Sequence, residues 1–575
     1  MINSRSINPG PALIFFVFLF LPGISFAQTH LPSGDESGAY GKRFEKDVER
    51  RRKELTAKPL KAPEVEIQKE EKPLPKEAVS FLLNDVKIEG STIFKPEDLR
   101  KTYEKYLKKQ VTYKDIESIT DAIKAKYAAK GFLTSSAYLP EQEIKEGILT
   151  IKILEGKMGD LKIEGNKWFP TKRIREFFHL KKNELLNVVT LEREILRLNK
   201  NPDVEAKIVI SQGTQPETSD VTIKTKDSFP YHFGVGADNQ GTRLVGKERA
   251  TLSFRSSDLT GHNDSFFTSF LFSRHSNAQS ISYSFPLDTY GTRMGFNFSH
   301  DNLRIGKEFQ DFRITGDTKT VGGYITKELY LSGDAEGYFT AGLDAKETKK
   351  HFNGIITADD EMRIPYFGFD FTKNDTWGAT TISPRFDFGT GDFLGASTEN
   401  HPLSTRAETG GFFFKYEQGV TRIQRMFLES YSVIRFQSQV ATHTLAPSEQ
   451  MQIGGMYSVR GYPEGDFLAD SGAIFNFDWI FPMYIFPASI KLPYADVPLR
   501  QQIQPIAFVD LGGGRLNKAQ SFELREKFLA SFGGGIRVRL YKNVYCRFEW
   551  AEAVGSKPTA NSGPSTFHFS VQTEI

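Results

Sequence analysis

The feature that most constrains the fold of this chain is a period-two alternation of apolar and polar residues from about residue 230 to the C-terminus. In the segment 294–299, Met and Phe alternate with Gly, Asn and Ser, and in 544–550, Val, Cys, Phe and Trp alternate with Tyr, Arg and Glu. Successive side chains of a strand point to opposite faces, so each strand has one apolar and one polar face. This pattern is typical of a transmembrane β-barrel with lipid outside and water inside.

We count about 16 candidate strands between Tyr231 and Ile575, an even number joined by antiparallel hairpins, as transmembrane barrels require. The last segment, 567–575, alternates in the same way, and we expect it to pair with the first strand and leave no open sheet edge. A soluble β-sandwich or β-propeller is the alternative, because charged residues also suit a solvent-exposed sheet face. The large number of strands without a repeated strand motif favours the barrel.

The bulk composition excludes several other classes of protein. Phe and Tyr are abundant, at 49 and 21 of 575 residues, but the mean hydropathy is −0.39. Membrane embedding therefore cannot rest on a bundle of apolar helices. A net charge of +3 gives no argument for nucleic acid as a partner. The single cysteine, Cys546, excludes an internal disulfide and a multi-cysteine zinc site.

The N-terminus has the composition of a secretory signal. Arg5 is followed by an apolar run over 12–21 and by Ser25-Phe26-Ala27, a small-x-small cleavage site. The run is about half of the ~20 residues that a membrane-spanning helix needs. We therefore predict a signal peptide over 1–27; a retained anchor is the alternative.

Two charged segments follow the signal. Within the N-terminal region 28–58, residues 36–58 carry many charges of both signs and few apolar residues, which predicts a solvated helix with ion pairs between residues i and i+4. Residues 59–77 contain four prolines among lysines and glutamates. That composition predicts an extended, semi-rigid linker and not a folded segment.

The next region contains an internal repeat. Val-Lys-Ile-Glu-Gly at 86–90 recurs as Leu-Lys-Ile-Glu-Gly at 161–165, an offset of 75 residues, and the apolar positions that follow match at the same offset. In each copy the periodicity predicts the order strand, helix, helix, strand, strand. The sequence therefore predicts two small α+β modules in tandem, at 78–156 and 157–227, before a barrel at 228–575.

No enzyme motif is present. The histidines form no His-Glu-x-x-His pattern, so zinc-hydrolase ligands are missing. The segment 241–247 resembles a phosphate-binding loop, but Glu248 stands where magnesium needs a Ser or Thr hydroxyl, and we predict a hairpin turn there. The sequence thus predicts a protein that is not an enzyme, with no catalytic residue, no cofactor and no metal site.

One arginine and one aspartate stand out within the barrel region. Arg460 lies in a Gly-containing loop, and Asp510 lies in Phe508-Val-Asp510-Leu-Gly512 on the same strand face as Phe508. An arginine facing lipid at mid-depth costs ~2–4 kcal/mol, so Arg460 should point into the lumen or a loop. There the guanidinium could bind the carboxylate in a bidentate contact. On these grounds, such a contact and two unrelated loop residues both remain open.

Arg460-Gly461-Tyr462 and Phe508-x-Asp510-x-Gly512 resemble the two signature motifs of the outer-membrane POTRA–barrel transporters. The segments 238–243, 258–261 and 283–287 are similar to early barrel hairpins of one group in that superfamily. The order of elements along nearly the whole mature chain resembles that same group, the two-partner secretion transporters of the haemolysin-activator and filamentous-haemagglutinin-exporter type.

The resemblance implies that a lumenal loop around 441–471 folds back into the barrel and that its tip residue Arg460 contacts Asp510. It also implies that the helix at 36–58 plugs the resting pore and that the POTRA modules lie in the periplasm. There they would bind an unfolded client by adding its extended chain to strand edges. Candidate client-binding segments lie around Val86, Leu161 and Val221.

The implied function is ATP-independent export of a large secreted partner protein, an adhesin or cytolysin, across the cell outer membrane. The other expected partners are outer-membrane lipids and the barrel-assembly machinery that inserts the protein, with no nucleic acid and a monomeric state. A barrel-assembly insertase of the same superfamily is the main alternative, and a diffusion porin with a periplasmic appendage is the other.

Overall fold

The computed structural model describes residues 36–56, 62–67, 80–399, 401–493, 495, 497–521, 523–540, 543–559 and 563–575. The predicted signal peptide and most of the predicted linker 59–77 lie outside the described residues. No helix among the described residues is both long enough and apolar enough to span a membrane.

The described chain begins with helix α1 (Ser37–Thr56) and a short strand β1 (Val65–Ile67). The strand corrects the prediction that 59–77 is an unfolded linker, because β1 pairs in parallel with a strand of the second α+β module. Val65 and Ile67 flank Glu66 and pack against the apolar core of that module. Two β-branched residues at alternate positions suffice to extend a sheet edge, although the surrounding prolines and charges hide this signal in the sequence.

The first α+β module contains the predicted elements and two additional short strands, at 80–83 and at 109–112, and its core is formed by one face of its longer helix. Ile116, Ile119, Ile123 and Tyr127 of that helix are buried, as their spacing predicts. The sheet has the strand order β3-β6-β5, and β2 pairs separately with β4. The elements are β2 (Ser80–Leu83), β3 (Asp85–Glu89), α2 (Pro96–Tyr103), β4 (Lys109–Thr112), α3 (Tyr113–Ala129), β5 (Ser136–Tyr138) and β6 (Ile148–Leu154).

The second module has the predicted order of strand, helix, helix, strand and strand. Its elements are β7 (Lys157–Glu164), α4 (Thr171–Arg175), α5 (Val188–Asn199), β8 (Val204–Gln212) and β9 (Thr218–Asp227). Its sheet has the order β1-β8-β9-β7. The repeated glycines, Gly90 and Gly165, have φ of 86° and 90°, and a Cβ on either would lie 2.4 or 2.3 Å from a backbone oxygen. The two glycines therefore serve the same tight strand exit.

The C-terminal region is a closed antiparallel barrel, and the described residues form sixteen wall strands. This confirms the predicted barrel and its strand number. The wall strands are β10 (Tyr231–Asp238), β11 (Arg249–Ser256), β12 (Ser265–Ser273), β13 (Ser276–Pro286), β14 (Thr292–Arg304), β15 (Thr315–Leu331), β16 (Ala335–Phe352), β17 (Ile355–Asp375), β18 (Gly378–Thr390), β19 (Phe412–Arg425), β20 (Tyr431–Ala441), β23 (Ser471–Ile480), β24 (Ile503–Arg515), β25 (Glu526–Leu540), β26 (Val544–Ala553) and β27 (Ser565–Glu574). A short helix α6 (Leu499–Gln502) precedes β24.

The barrel closes between its last and first strands, as the terminal alternation predicts. β27 pairs with β10 over five residues, from Gly234 opposite Glu574 to Asp238 opposite Ser570. Side chains on the outer face are apolar and exposed, as Val235 is, whereas those on the inner face, such as Asp238, are polar and buried in the lumen. A transmembrane barrel requires this arrangement.

Two elements fill the lumen. One is α1, which packs against the inner faces of β13 to β16. The other is the loop 442–470 between β20 and β23, which contains a two-stranded hairpin of β21 (Met451–Ile453) and β22 (Phe467–Ala469). The prediction of a solvated helix is wrong for most of α1, because the charged side chains of Lys42, Arg43 and Asp47 are buried in the barrel. The charges face a polar barrel wall, which the local sequence does not reveal.

Candidate functional site

The lumenal loop brings its tip, residues 454–462, against the inside of the barrel wall. Gly461 has φ of 102°, in the left-handed region, and a Cβ there would lie 3.1 Å from the Ala553 amide nitrogen of β26. Only glycine meets both conditions without strain. This close approach places the neighbouring Arg460 side chain on the lumenal side of the wall formed by β23, β24 and β26.

Arg460 and Asp510 form a bidentate ion pair. Arg460 Nε and Nη2 each donate to a different carboxylate oxygen of Asp510 at 2.7 Å, and the Arg460 amide donates to Asp510 Oδ2 at 3.0 Å. Arg460 is 2 % exposed and Asp510 is fully buried. Of the two arrangements that the sequence left open, the structure therefore has the direct contact.

Two further carboxylates bind the same guanidinium, and sequence reasoning did not single them out. Arg460 Nη2 donates to Asp478 Oδ1 at 2.6 Å, and Nη1 donates to Glu549 Oε2 at 2.9 Å. Both acids lie on wall strands and are fully buried. The available signal was their position on the polar face of alternating strands, but that position is shared by many lumenal residues.

The excess negative charge of this cluster is balanced by two wall arginines. Arg435 and Arg537 donate to Asp478 Oδ2 at 2.6 and 3.0 Å, and Arg537 Nε also donates to Glu549 Oε1 at 2.8 Å. Arg547 Nε also lies 3.7 Å from Glu549 Oε1, so each of the three acids has at least one arginine partner. Buried charges are tolerated only when paired in this way.

The remaining motif residues shape the space around the ion pair. The Arg460 guanidinium lies 3.5 Å from the centroid of the Phe508 ring, in a cation–π contact. The buried Tyr462 donates its hydroxyl to the Ala530 carbonyl at 3.3 Å. A Cβ on Gly512 would lie 2.7 Å from Val459 Cγ2, so this glycine lets the loop pack directly on β24. All six motif residues thus contact one another or the same stretch of wall.

Separate contacts hold the loop above the tip. Asp466 pairs with Lys527 of β25 and accepts a 2.7 Å hydrogen bond from the Thr559 amide. Near the loop base, Arg406 Nη1 donates to Asp470 Oδ1 at 3.4 Å, and its other nitrogens bind Glu523. The loop is therefore anchored at the tip, the middle and the base.

Helix α1 is bound to the barrel wall along its length by polar contacts. Glu36, just before it, pairs with Lys350 of β16 at 3.0 Å. Near its other end, Arg51 pairs with Asp238 of β10 at 2.9 Å. Between them, Arg249 Nη1 donates to Asp47 at 3.1 Å.

A small apolar contact and the lumenal loop complete the binding site for α1. Phe44 and Val48 pack on Phe267, Leu271 and Ala278 of β12 and β13. The helix also touches the lumenal loop through three contacts. Lys42 Nζ donates to the Glu449 carbonyl at 2.8 Å, Gln452 donates to the Ala39 carbonyl at 2.5 Å, and the Arg50 guanidinium lies over the Tyr457 ring. The two lumenal elements therefore support each other.

The second module is attached to the barrel rim by ion pairs. Arg197 of α5 binds Glu328 of β15, with Nη2 to Oε1 at 2.7 Å. Asp203 accepts from His232 at 2.9 Å and from Ser257, and it pairs with Arg255 of β11 at 3.4 Å. Burial acts to raise the pKa of Asp203, but these hydrogen bonds and the charge of Arg255 outweigh it and leave the pKa lowered.

A histidine joins the same junction on the other side. His179 bonds to Thr289 at 2.6 Å in a barrel turn and to Glu194 of α5 at 2.9 Å. Burial raises the pKa of the Glu194 carboxyl despite this hydrogen bond.

The predicted client-binding segments differ in their access to a new strand. Val86 lies on β3 and Leu161 lies on β7, and within the described part of the chain no strand pairs with the outer edge of either. Val221 lies on β9, between β8 and β7. Both edges of β9 are already hydrogen-bonded within the sheet, so Val221 offers no free edge to a client strand, and client binding around it stays a prediction.

Comparisons with known proteins agree with this architecture. Residues 217–538 match the family of the haemolysin secretion/activation proteins ShlB, FhaC and HecB, and residues 81–156 match the ShlB-type POTRA domain. The outer membrane transporter CdiB of Dickeya dadantii is 24 % identical over 402 residues, covering 67 % of this chain and 69 % of that protein. The heme/hemopexin transporter protein HuxB of Haemophilus influenzae is 23 % identical over 458 residues, covering 78 % of this chain and 80 % of that protein.

Solved structures show the same fold. CdiB from Escherichia coli aligns with a TM-score of 0.75 at 19 % identity, covering 95 % of this chain and all of that one. BamA from Haemophilus ducreyi, lacking POTRA domains 1–3, aligns with a TM-score of 0.51 at 12 % identity, covering 86 % of this chain and all of that one.

Replacement of Arg460 should release the loop tip. We expect Arg460→Ala to weaken docking of the loop by about 3–5 kcal/mol, because it leaves buried carboxylates without their partner. Arg460→Lys should also weaken it, since an ammonium cannot make the bidentate contact. The measurement is the rate at which proteinase K cleaves the loop 442–470 in the folded, membrane-inserted protein.

Arg422→Ala is the matched control for this experiment. Arg422 also binds a carboxylate through two nitrogens, at 2.6 and 3.0 Å to Asp375, but on an exposed site. Exposed pairs contribute little to stability, so the loop 442–470 should stay protected from proteinase K in Arg422→Ala. Equal protection of the loop in Arg460→Ala and the unmodified protein would contradict the assigned contact.

Proposed function

Because the chain belongs to the family of the haemolysin secretion/activation proteins, we propose that it exports a large secreted partner protein across the outer membrane through its barrel. The observation that carries the proposal is the filling of the lumen by two separately attached elements, α1 and the loop 442–470. A simple pore has no use for an independent helix held by ion pairs inside it. A translocation channel needs such a device, because it must stay closed until its client arrives.

The contacts of α1 suit a plug that can leave. Most are ion pairs and hydrogen bonds to the wall, and the only apolar cluster involving the helix within the described residues contains Phe44 and Val48. Polar contacts can be exchanged for water at small net cost, unlike a large apolar interface. The helix therefore closes the resting pore without being an irreversible part of the barrel core.

The α+β modules are the sites at which the client first binds. Among the described residues no strand pairs with the outer edge of β3 or, beyond the bridge between Lys157 and Leu185, with that of β7. β-Augmentation by an extended chain uses such edges. The outer edge of β8 is occupied by β1, which directs the client to the other edges. Export requires no ATP, since folding of the client outside the cell supplies direction.

Arg460 and Asp510 have a positioning role and no catalytic one. They hold the loop tip on β24 beside the channel through which the client passes. The protein acts as a monomer that the barrel-assembly machinery inserts into the outer membrane, with an adhesin or a cytolysin as its client.

Export should depend on the position of the loop. We expect Arg460→Ala to reduce secretion of the partner at least about ten-fold, which matches a loss of ~1.4 kcal/mol and is smaller than the docking energy at stake. The measurement is secreted partner per cell, normalised to the amount of heat-modifiable folded barrel. Normal secretion by Arg460→Ala at normal barrel abundance would show that export does not depend on the docked loop. Arg422→Ala again serves as the control.

The closed state can be tested by conductance in planar bilayers. Phe44→Asp with Val48→Asp places two carboxylates against Phe267 and Leu271, so the helix should leave the lumen and the conductance should rise. Glu49→Ala with Lys53→Ala removes an exposed ion pair of the same helix and should leave the conductance unchanged. A large, steady conductance that is the same in the first variant and in the unmodified protein would favour the diffusion porin.

The edges that bind the client can be mapped by photo-crosslinking. A benzoylphenylalanine at Lys87 of β3 or at Lys162 of β7 should crosslink to the partner protein during export. The same group at Lys224, which is exposed on the central strand β9, should give a much lower yield. Equal yields at the three positions would argue against pairing at strand edges.

A barrel-assembly insertase is distinguished by its effect on other proteins. The BamA likeness concerns the fold, which an insertase and an exporter share. Depletion of this protein should stop secretion of one partner and leave the other outer-membrane barrels at normal levels. General loss of outer-membrane barrels on depletion would favour the insertase.

A further inference from the structure

The second α+β module exposes a tryptophan next to the barrel. Trp168 lies in the loop between β7 and α4, and 54 % of its surface is exposed. Its ring packs edge-on against Phe229, with 4.9 Å between the ring centroids. Phe229, itself 49 % exposed, lies just before the first barrel strand. An exposed pair of large aromatic rings on a periplasmic module needs an explanation.

The ring contacts continue from Trp168 onto the lipid-facing wall of the barrel. Phe229 contacts Tyr231 at 5.2 Å, Tyr231 stacks on Phe254 at 6.2 Å, and Phe254 contacts Phe233 at 4.9 Å. Phe233 lies on the outer face of β10 and is 64 % exposed, as lipid-facing side chains are. Trp168 is therefore the last ring of a row that begins in the hydrocarbon region and ends beyond the barrel.

The loop that presents Trp168 is held by a carboxylate. Both oxygens of Asp227 accept from the Lys167 amide at 2.9 Å, and Oδ2 also accepts from the Trp168 and Phe169 amides at 2.7 and 2.9 Å. Hydrogen bonds to an ionised acceptor are about twice as strong as neutral ones. The exposure of the indole is thus a defined feature of the fold and not the result of a loose loop.

The first module provides an internal comparison, because its equivalent loop is held in the same way. Glu155 accepts from the Thr92 and Ile93 amides at 2.7 and 3.0 Å. At the repeat offset of 75 residues, Ile93 is the counterpart of Trp168, and Ile93 packs partly buried against the core of its own module. The module fold therefore does not require an exposed tryptophan here.

The charges beside the two loops also differ in sign. Glu97 and Asp98 open α2 of the first module, whereas Lys172 and Arg173 stand at the equivalent positions of α4. Residues 162–182 contain seven basic and two acidic side chains, compared with five and four in 87–107. The segment that carries Trp168 is therefore more basic than its counterpart in the first module.

We propose that the loop carrying Trp168 binds the periplasmic leaflet of the outer membrane, with the indole at the headgroup level and Lys167 and Lys172 on anionic phospholipid headgroups. Indole rings prefer this interface, and basic side chains are attracted to anionic headgroups. Lipid is favoured over a protein partner because the row of rings next to Trp168 already faces lipid. The contact fixes the second module against the membrane, and it depends on the barrel lying in a bilayer and not on export.

The depth of Trp168 can be measured in the full-length protein. Trp377→Phe, Trp479→Phe and Trp550→Phe together leave Trp168 as the single tryptophan. In vesicles of phosphatidylglycerol and phosphatidylcholine, bromines at shallow acyl positions should quench its emission about two-fold more than deep bromines, since indoles lie near the headgroups. Heat-modifiable mobility checks that the variant is folded. Trp168 emission that is quenched by neither bromine position and is fully quenched by aqueous iodide would overturn the proposal.

A charge-reversal pair tests the lipid class. Lys167→Glu with Lys172→Glu should abolish the excess quenching in vesicles that contain phosphatidylglycerol. Lys101→Glu with Lys114→Glu, the same charge change on exposed positions of the first module, should leave it unaltered. Quenching that is equal with and without phosphatidylglycerol would overturn the anionic headgroup as ligand. Protection of Trp168 only when the secreted partner is added would assign the surface to the client instead.

Discussion

A guanidinium enclosed by protein inside a membrane barrel must have its charge balanced within a few ångströms, and the lumen of this protein is arranged around that requirement. Arg460 reaches three carboxylates and the face of Phe508 at once. Each acid comes from a different wall strand, so the loop tip can sit correctly only if β23, β24 and β26 are in register. The ion cluster therefore forms only when the barrel strands are in register and the loop is docked.

Helix α1 in the lumen depends on the same physical condition. Its charges are too many for an apolar core and yet are largely buried, because the inner wall supplies partners such as Arg249, Asp238 and Lys350. The barrel has an apolar outer face and an inner face with charged side chains. A hydrophilic helix can therefore pack in its interior. The helix and the loop then touch each other, so moving one element disturbs the other.

The two α+β modules show how one scaffold is adapted to two positions. Glycine at the exit of the first strand and a carboxylate that holds the following loop are kept in both copies. The residues that the loop presents differ, with Ile93 in the module farther along the chain from the barrel and Trp168 in the module attached to its rim. The features that the two modules share stabilise the fold, and the features in which they differ follow from the surroundings of each copy.

Local sequence was sufficient for the fold and for one part of the site. The period of two predicted the barrel and its closure, the offset of 75 predicted the paired modules, and the residue types of Arg460 and Asp510 predicted an ion pair as one of two possibilities. Only the tertiary structure decided that Asp478 and Glu549 join this pair, that α1 is buried, and that β1 extends the sheet of the second module. The physical reason is that periodicity shows which face a side chain occupies, whereas the partner across the lumen or at a sheet edge is set by strand register and chain packing between residues far apart in sequence.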